Sequence, residues 1–584
     1  MSHDDSHEHH EENFVSKYIF STDHKVIGIQ YALTAMLFLL VGFSLMLLMR
    51  WQLAYSGKPV PIIGGILEKM FGADALGGAV TQQLYNSFGA MHGTIMVFLA
   101  IVPLAVGAFG NYVVPLQIGA VDMAFPRLNM MSYWVYFVGG VTMLGSFFVK
   151  GGAAKSGWTS YAPLSVVDAA GPGQTLWLVG MVFLITSSLL GAVNFLVTII
   201  QLRTKGLTFM RLPFFVWVQF VTAFLLLLAF PPLEAAGFMQ LMDRVAGTSF
   251  FMPSGLLISG QPHAATGGGS PILWQHLFWF LAHPEVYVLI LPALGIVAEI
   301  IANNTRKPLW GYRSMVFSLL FLGFMSFIVW AHHMFLTDMG TAISSFFQAT
   351  TMIISIPSVV IITALIISLW GGSIRFNVPM LFALSFLPMF GIGGLTGLPL
   401  ALSAADVHLH DTLYVIGHFH YVVAPGTIFA MFAGIYYWFP KVTGRRMSEF
   451  MGHLHFWPSL VCMNMIFGPM MIQGIAGVSR RLWDGGLIYE HAAPVLKWNA
   501  IMSHAAFGLA LAQLPFIINL FWSIKHGKKA ADNEWEATTL EWSAAASPPL
   551  AHGNFETVPE VHRAAYEYSV PGHERDYLPQ NEPE

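Results

Sequence analysis

Cysteine and charge are what this 584-residue sequence has least of. A single cysteine, Cys462, excludes an internal disulfide and any metal site built on a thiolate pair within the chain. Only 10% of the residues are charged, against about 25% in a soluble protein. The net charge of −4 gives no reason to expect a nucleic-acid partner. The first sixteen residues, MSHDDSHEHHEENFVS, lack the basic and apolar regions of a cleavable signal. They read as a polar, disordered tail. There is no internal repeat of the transporter kind, and no glycine-rich nucleotide motif in a strand–turn–helix setting.

Apolar length is what the sequence has in quantity. Hydrophobic residues make up 55% of it, and a helix needs about 20 of them to cross a bilayer. Twelve runs qualify: 27–50, 88–112, 130–150, 174–203, 213–236, 273–302, 312–335, 340–370, 378–400, 412–438, 452–475 and 499–523. The expected fold is an all-α integral membrane protein of twelve transmembrane helices. Basic residues test that count. Lys17, Lys25, Arg127, Arg203, Lys205, Arg211, Arg306, Lys307, Arg313, Arg375, Lys441, Arg445, Arg446, Lys525, Lys528 and Lys529 all fall on the side shared by both termini. The positive-inside rule makes that side cytoplasmic. The division is then a tail over 1–16, a twelve-helix domain over 17–526, and a polar tail over 527–584 with no core of its own.

Ionisable residues inside membrane helices are costly and mark function by default. The densest group is 406–421, DVHLHDTLYVIGHFHY. On one helix His418 and His420 lie about 200° apart, so they serve two separate centres more easily than one. His92 sits in MHGTIMVF. His283 lies in WFLAHPEVYVLILP, with Pro284 after it, Glu285 projecting elsewhere, and Tyr287 one turn on, on its own face. His332 and His333 are adjacent in WAHHMF, about 100° apart on an α-helix. A lone buried histidine is more often a hydrogen-bonded core residue, and that reading weakens as the set grows. Three imidazoles, His283, His332 and His333, suit copper or zinc. His92, His418 and His420 can be apportioned to haem, although spacing alone does not require haem.

In combination these motifs resemble subunit I of the haem–copper oxygen reductases of the cytochrome c oxidase type, of the form carrying HPEVY. So do GNYVVPLQIGAVDMAFPRLN and VSRRLWDG, and the likeness runs from FSTDHKVIG near residue 20 to TTLEWSAAASPPLAHGNF near 555. The resemblance implies a catalytic subunit that reduces dioxygen to water. It implies His92 and His420 as axial ligands of a low-spin haem, His418 as ligand of a high-spin haem, and His283, His332 and His333 on copper. Haem A is expected at both haem sites. Tyr287 is expected to be cross-linked to His283. It also implies magnesium at His410 and Asp411, with haem propionates held by Arg480 and Arg481 near Asp406. A proton route is implied from Asp122 past Asn111, Asn129, Tyr31, Ser187, Ser188 and Asn194 to Glu285. Burial removes solvation from a carboxylate, which suits a group that loads and unloads protons. The implied partners are a dicopper-bearing subunit II, a subunit III, cytochrome c as donor, a possible respiratory supercomplex and membrane lipid. The implied location is the bacterial inner membrane, with proton pumping expected.

Two departures stand out. Ile361 occupies the place of the lysine in the family's second proton route, and Ala298, followed by Glu299, replaces a serine. Thr351, Ser355 and Ser358 form one polar stripe at i, i+4 and i+7. A path lined by these hydroxyls and opening near Glu299 is the expected substitute. Quinol-oxidising relatives carry polar residues where this chain has Val41, Leu45, Leu84 and Ser87, which favours cytochrome c as donor, with a quinol oxidase of the same superfamily as the alternative. A nitric-oxide reductase normally lacks Tyr287 and the Asp122–Glu285 route. A transporter would have no need of adjacent histidines.

Overall fold

The computed structural model describes residues 13–258, 260–262, 267–551 and 553–583. Among them are twelve helices long and apolar enough to span a membrane. They are α1 (His24–Ala54), α2 (Gln82–Ile118), α3 (Pro126–Phe148), α4 (Asp168–Gln201), α5 (Phe214–Val245), α6 (Pro271–Thr305), α7 (Tyr312–Thr337), α8 (Thr341–Leu369), α9 (Val378–Leu400), α10 (Leu413–Thr443), α11 (Glu449–Ile475) and α12 (Glu490–His526). Each predicted run reappears as one helix. Several extend past the apolar run because polar caps, not hydropathy, end a helix. The Thr81 hydroxyl accepts from the Leu84 N–H and starts α2 at Gln82. The Asn377 side chain does the same for α9. Of the predicted tail 1–16, residues 1–12 lie outside the described residues. The only sheet among the described residues is a two-stranded antiparallel pair, Leu257–Ile258 with Gln261–Pro262, in the α5–α6 loop.

Successive helices pack on their chain neighbours through α3–α6 and α9–α12, and α6 is the most enclosed of all. Regular helix is broken where histidines stand. In α2, wide π-type turns over Ile95–Ile101 and Pro103–Ala108 follow His92. In α10 a similar turn, Val423–Ile428, follows His420. The end of α7, Trp330–Thr337, is 3₁₀ helix. With three residues per turn, His332 and His333 there stand nearer 120° apart than the 100° of an α-helix. Such interruptions are tolerated within a membrane where the freed backbone groups face protein.

The start of α1 and the segment after α12 meet at one end of the bundle. The His24 Nδ1–H donates to the Asn111 carbonyl (2.7 Å), its Nε2 accepts from Asn554 Nδ2 (2.8 Å), and Lys25 Nζ donates to Asn554 Oδ1 (2.7 Å). The segment after 527, polar in composition and nearly without regular structure, lies across this end. It buries Trp535, Trp542, Tyr568 and Leu578, and Trp535 Nε1–H donates to the Tyr437 carbonyl of α10. It also solvates two cations that the helices bury. Lys441 Nζ donates to the carbonyls of Asp532, Ala545 and Ala546 at 2.7–3.1 Å. Arg306, 2% exposed, takes both Asp576 oxygens at 2.6 and 2.8 Å. Buried charge is costly without such partners.

Candidate metal centres and proton route

Three imidazoles converge beside α6. His283 Nδ1 is 3.2 Å from His333 Nε2, and His332 Nε2 is 3.1 Å from the same atom. Each of the three residues offers a ligand atom within 4.8 Å of the others. Thr351 on α8 fixes one tautomer. Its hydroxyl donates to the Phe347 carbonyl at 2.5 Å and so accepts the His332 Nδ1–H at 2.9 Å. The Nε2 lone pair of His332 therefore points into the cluster. His333 is held by stacking on Trp279 (centroids 3.8 Å, 13°), whose Nε1–H donates to the Tyr161 hydroxyl at 2.6 Å. The Tyr287 ring lies edge-on to His283, centroids 4.9 Å apart, and His283 Nε2 is buried with no hydrogen-bond partner.

The other three histidines share one device. The Nδ1–H of His92 donates to the Gly42 carbonyl of α1, that of His418 to Gly393 of α9, and that of His420 to Ile416 one turn back, each at 2.8 Å. A carbonyl can only accept, so in all three Nε2 is left as a bare lone pair. This is the orientation a ligating histidine takes when its second nitrogen is fixed. His418 packs closely on Gly397, where a Cβ would come within 2.7 Å of its Cε1. His420 stacks on Phe467, centroids 4.7 Å apart. Near the end of α1, Arg50 is 6% exposed and its Nη1 has no partner.

At the opposite end of the bundle from the C-terminal segment, His410 Nδ1–H donates to the buried Asp406 carboxylate (3.2 Å), which turns Nε2 toward Asp411 Oδ2 at 3.9 Å. Burial disfavours charge on Asp411, but Arg480, within 2.5–2.6 Å of it, prevails and holds the carboxyl below its ordinary range. Arg481 sits over Gly157, its Nη1 3.1 Å from where a Cβ would be. Burial and the neighbouring Arg480 lower its pKa to about 10. His410 and Asp411 make two metal donors and no third stands with them among the described residues.

Several of the predicted proton-route residues stand together, and among the described residues no hydrogen bond joins them to the Glu285 carboxylate. Asp122, in the α2–α3 loop, is half-buried, which raises its pKa to about 6, with the Met123 N–H at 2.6 Å opposing. Asn194 is spent on the backbone of Phe125. Asn111 Oδ1 and both amide atoms of Asn129 are buried without partners. Beyond them a cavity of about 40 Å³ is lined by Tyr31, Asn111, Ser132, Ser187 and Ser188. A water needs roughly 10–15 Å³. The Tyr31 hydroxyl is 3.0 Å from Ser132 Oγ and 3.5 Å from Ser187 Oγ. Both carboxylate oxygens of Glu285 are buried and unpartnered.

The residues expected to line a substitute second route are less continuous. Ile361 and Ala298 are fully buried. Thr351 is engaged by His332, and Ser355 turns back to the Met352 carbonyl. Glu299 Oε1 accepts from the Phe215 N–H (3.1 Å) and from the Tyr566 hydroxyl (2.6 Å), which itself accepts from the Phe214 N–H. Glu299 and Tyr566 thus satisfy the first turn of α5, where an acceptor also meets the positive end of the helix dipole.

A family profile described as Cytochrome C and Quinol oxidase polypeptide I matches residues 26–509. The chain belongs to that family. It is 42% identical over 580 residues to an alternative cytochrome c oxidase subunit 1 of Bradyrhizobium diazoefficiens, covering 98% of this chain and 94% of that one. To the cytochrome c oxidase subunit 1 of Cereibacter sphaeroides it is 39% identical, covering 95% and 97%. A solved heme-copper terminal oxidase dimer shares the fold, with TM-score 0.70 at 18% identity, over 86% of this chain and 84% of that one.

Membership in this haem–copper family implies haem and copper, and the residues present fit both. The His283 and His332 nitrogens stand within hydrogen-bond distance of His333 Nε2, and His332 has its ring proton fixed elsewhere, a donor set that a single copper ion could share. Three further histidines expose Nε2 lone pairs, and the unpaired Arg50 donor suits a polar substituent on a bound macrocycle. Four contributors were missed from sequence. Trp279 and Tyr161 brace His333, Ser132 links Tyr31 to Asn129, and Arg50 is an ordinary arginine until its burial is seen. The pattern around Gly393 and Gly397, GIGGLTG, carried a signal: glycines in a membrane helix where another group approaches the backbone closely.

Proposed function

We propose that this chain is the catalytic subunit of a respiratory terminal oxidase that reduces dioxygen to water with electrons from cytochrome c. The observation that carries the reading is the convergence of His283, His332 and His333 beside Tyr287. In it His283 and His332 hold nitrogens toward His333, His283 Nε2 has no hydrogen-bond partner, and the Tyr287 ring lies edge-on to His283. In this reading those three hold copper, His418 holds the high-spin haem, and His92 and His420 hold the low-spin haem, both haems being haem A. When bound, these groups supply the electron transfer that reduces dioxygen. The chain's own part is to fix the ligand tautomers and to place the Tyr287 phenol, joined to His283, as a proton and electron donor. Glu285 holds the proton next in line, at the inner end of the Asp122 route.

His410 and Asp411 bind magnesium with a ligand from a second subunit, and Arg480, Arg481 and Asp406 organise the haem propionates. Subunit II carries the dicopper centre that a lone cysteine cannot form here, a subunit III completes the complex, and a respiratory supercomplex is its setting. The membrane is the bacterial inner membrane, with the C-terminal segment on the cytoplasmic side, and turnover pumps protons outward. In the absence of the second-route lysine, protons also enter near Glu299. The test is oxygen consumption by the purified complex with reduced cytochrome c or with quinol as sole donor. Cytochrome c should support turnover and quinol should not, with haem A bands in the absorbance spectrum. Turnover with quinol alone would assign the chain to a quinol oxidase.

A further inference from the structure

Asn554 does more than tie down the segment after α12. Its backbone stands at φ +66°, in the left-handed region that asparagine tolerates better than most side chains, and the residue is fully buried. Its Oδ1 takes Lys25 Nζ at 2.7 Å. An ammonium group can only donate, which fixes the orientation of the amide. Nδ2 then faces three acceptors, the carbonyls of Ala120 (2.9 Å) and Val121 (3.2 Å) and His24 Nε2 (2.8 Å). The two carbonyls immediately precede Asp122, the expected mouth of the first proton route. The Asp122 carboxylate faces the His24 N–H, with Asp23 and Lys25 as its charged neighbours. Lys25 is nonetheless turned away from it. Its Nζ goes to Asp23 Oδ2 at 3.0 Å and to Asn554.

A carboxyl at the mouth of a proton route must both take and release protons. An opposite charge within a few ångströms favours the charged form, so a lysine paired with Asp122 would hold it deprotonated and close the entry. A buried ammonium group needs partners, and without Asn554 the nearest one left beside Asp23 is Asp122. We infer that Asn554 is a positioning residue for proton intake: its amide holds Lys25 off the Asp122 carboxylate and pins the backbone on which that carboxylate stands. The segment after α12 is in this way part of the intake. The inference rests on the reading of Asp122 as the mouth of the route to Glu285.

The test uses the purified oxidase turning over with reduced cytochrome c, with haem absorbance as the control for folding. Glycine adopts a positive φ freely, so Asn554→Gly removes the amide without straining the backbone. It should lower oxygen consumption about tenfold or more, within the range of an impaired proton-transfer group. The solvent deuterium isotope effect should rise with it, because proton intake becomes limiting. Lys25→Met added to Asn554→Gly should restore turnover to within about twofold of Lys25→Met alone, the coupling expected of residues that act on one another. Asn554→Gly added to Asp122→Asn should lower turnover no further. A water-soluble carbodiimide joins a lysine to a carboxylate it touches. Mass spectrometry of the treated proteins should find Lys25 joined to Asp122 in Asn554→Gly and not in wild type. Wild-type turnover in Asn554→Gly would overturn the inference. So would a double variant that Lys25→Met fails to restore, which would leave Asn554 an anchor of the loop alone, or equal cross-linking in both proteins. Full turnover in Asp122→Asn would overturn the route reading instead, and the cross-link would still decide whether Asn554 holds Lys25 away.

Discussion

Thr351 acts through its order of hydrogen bonds. Because its hydroxyl already donates to Phe347, it can only accept from His332, and that fixes which imidazole nitrogen faces the cluster. Valine has nearly the same shape but no acceptor, so Thr351→Val leaves a buried N–H unpaired and lets the ring tautomerise. Loss of such a partner typically costs 10–100-fold in metal affinity or activity. Copper content and oxygen consumption should fall by roughly that factor, with the low-spin haem bands unchanged and Thr351→Ser restoring most of both. Wild-type copper in Thr351→Val would refute this role. The six histidines were legible because imidazoles are costly to bury, and six of them in apolar helices point to a shared use as ligands. Thr351 was legible only as part of a stripe with Ser355 and Ser358. Spacing says which face a residue occupies, not which neighbour meets it there.

The helices were readable from apolar length alone, and their irregularities were not. Nothing in WAHHMF distinguishes a 3₁₀ turn from an α-helix, since the tightening answers to packing against Trp279 and α8. The C-terminal segment was the least legible element. Its prolines and charges announce polarity, while the burial of Trp535, Trp542 and Tyr568 depends on helix ends far away in sequence. Its attachment at Arg306 and Asp576 has a pH signature. Hydrogen bonds from the Arg306 guanidinium hold the Asp576 carboxyl below its ordinary range, with burial opposing. A carboxyl whose folded pKa is depressed adds stability above its unfolded value, about 3.9, and loses it as pH falls through the folded value. Protection of the amides over 565–583, taken relative to the intrinsic exchange rate at each pH, should therefore hold from neutrality to about 5, and fall below about 4 ahead of the bundle helices. Asp576→Asn should show the faster exchange already at neutral pH. Equal protection of the variant and wild type there would refute the latch.

At the scale of the whole molecule the question is how protons cross from one face to the buried oxygen site. The Asp122 side offers unpaired amides, a hydroxyl-lined cavity and an unpartnered carboxyl at Glu285. The other side offers a fully buried Ile361, and a Glu299 whose oxygen is already used to start α5 and hold Tyr566. Unpaired polar groups of this kind are the ground for expecting most of the flux on the first side. In sealed vesicles turning over with cytochrome c, Glu285→Gln should lower both oxygen consumption and outward proton release by about 10²-fold or more, the scale of a lost proton-transfer group. Glu299→Gln should spare proton release per electron but slow reduction of the oxygen site, since its amide keeps one acceptor for the Phe215 N–H and removes the exchangeable proton. If Glu299→Gln left that reduction unchanged, Glu299 would be a helix cap alone and the second route would have to open elsewhere. If Glu285→Gln kept substantial turnover, protons would be reaching the oxygen site past Ile361, and the half-buried hydroxyls of Ser355 and Ser358 would be the groups to replace next.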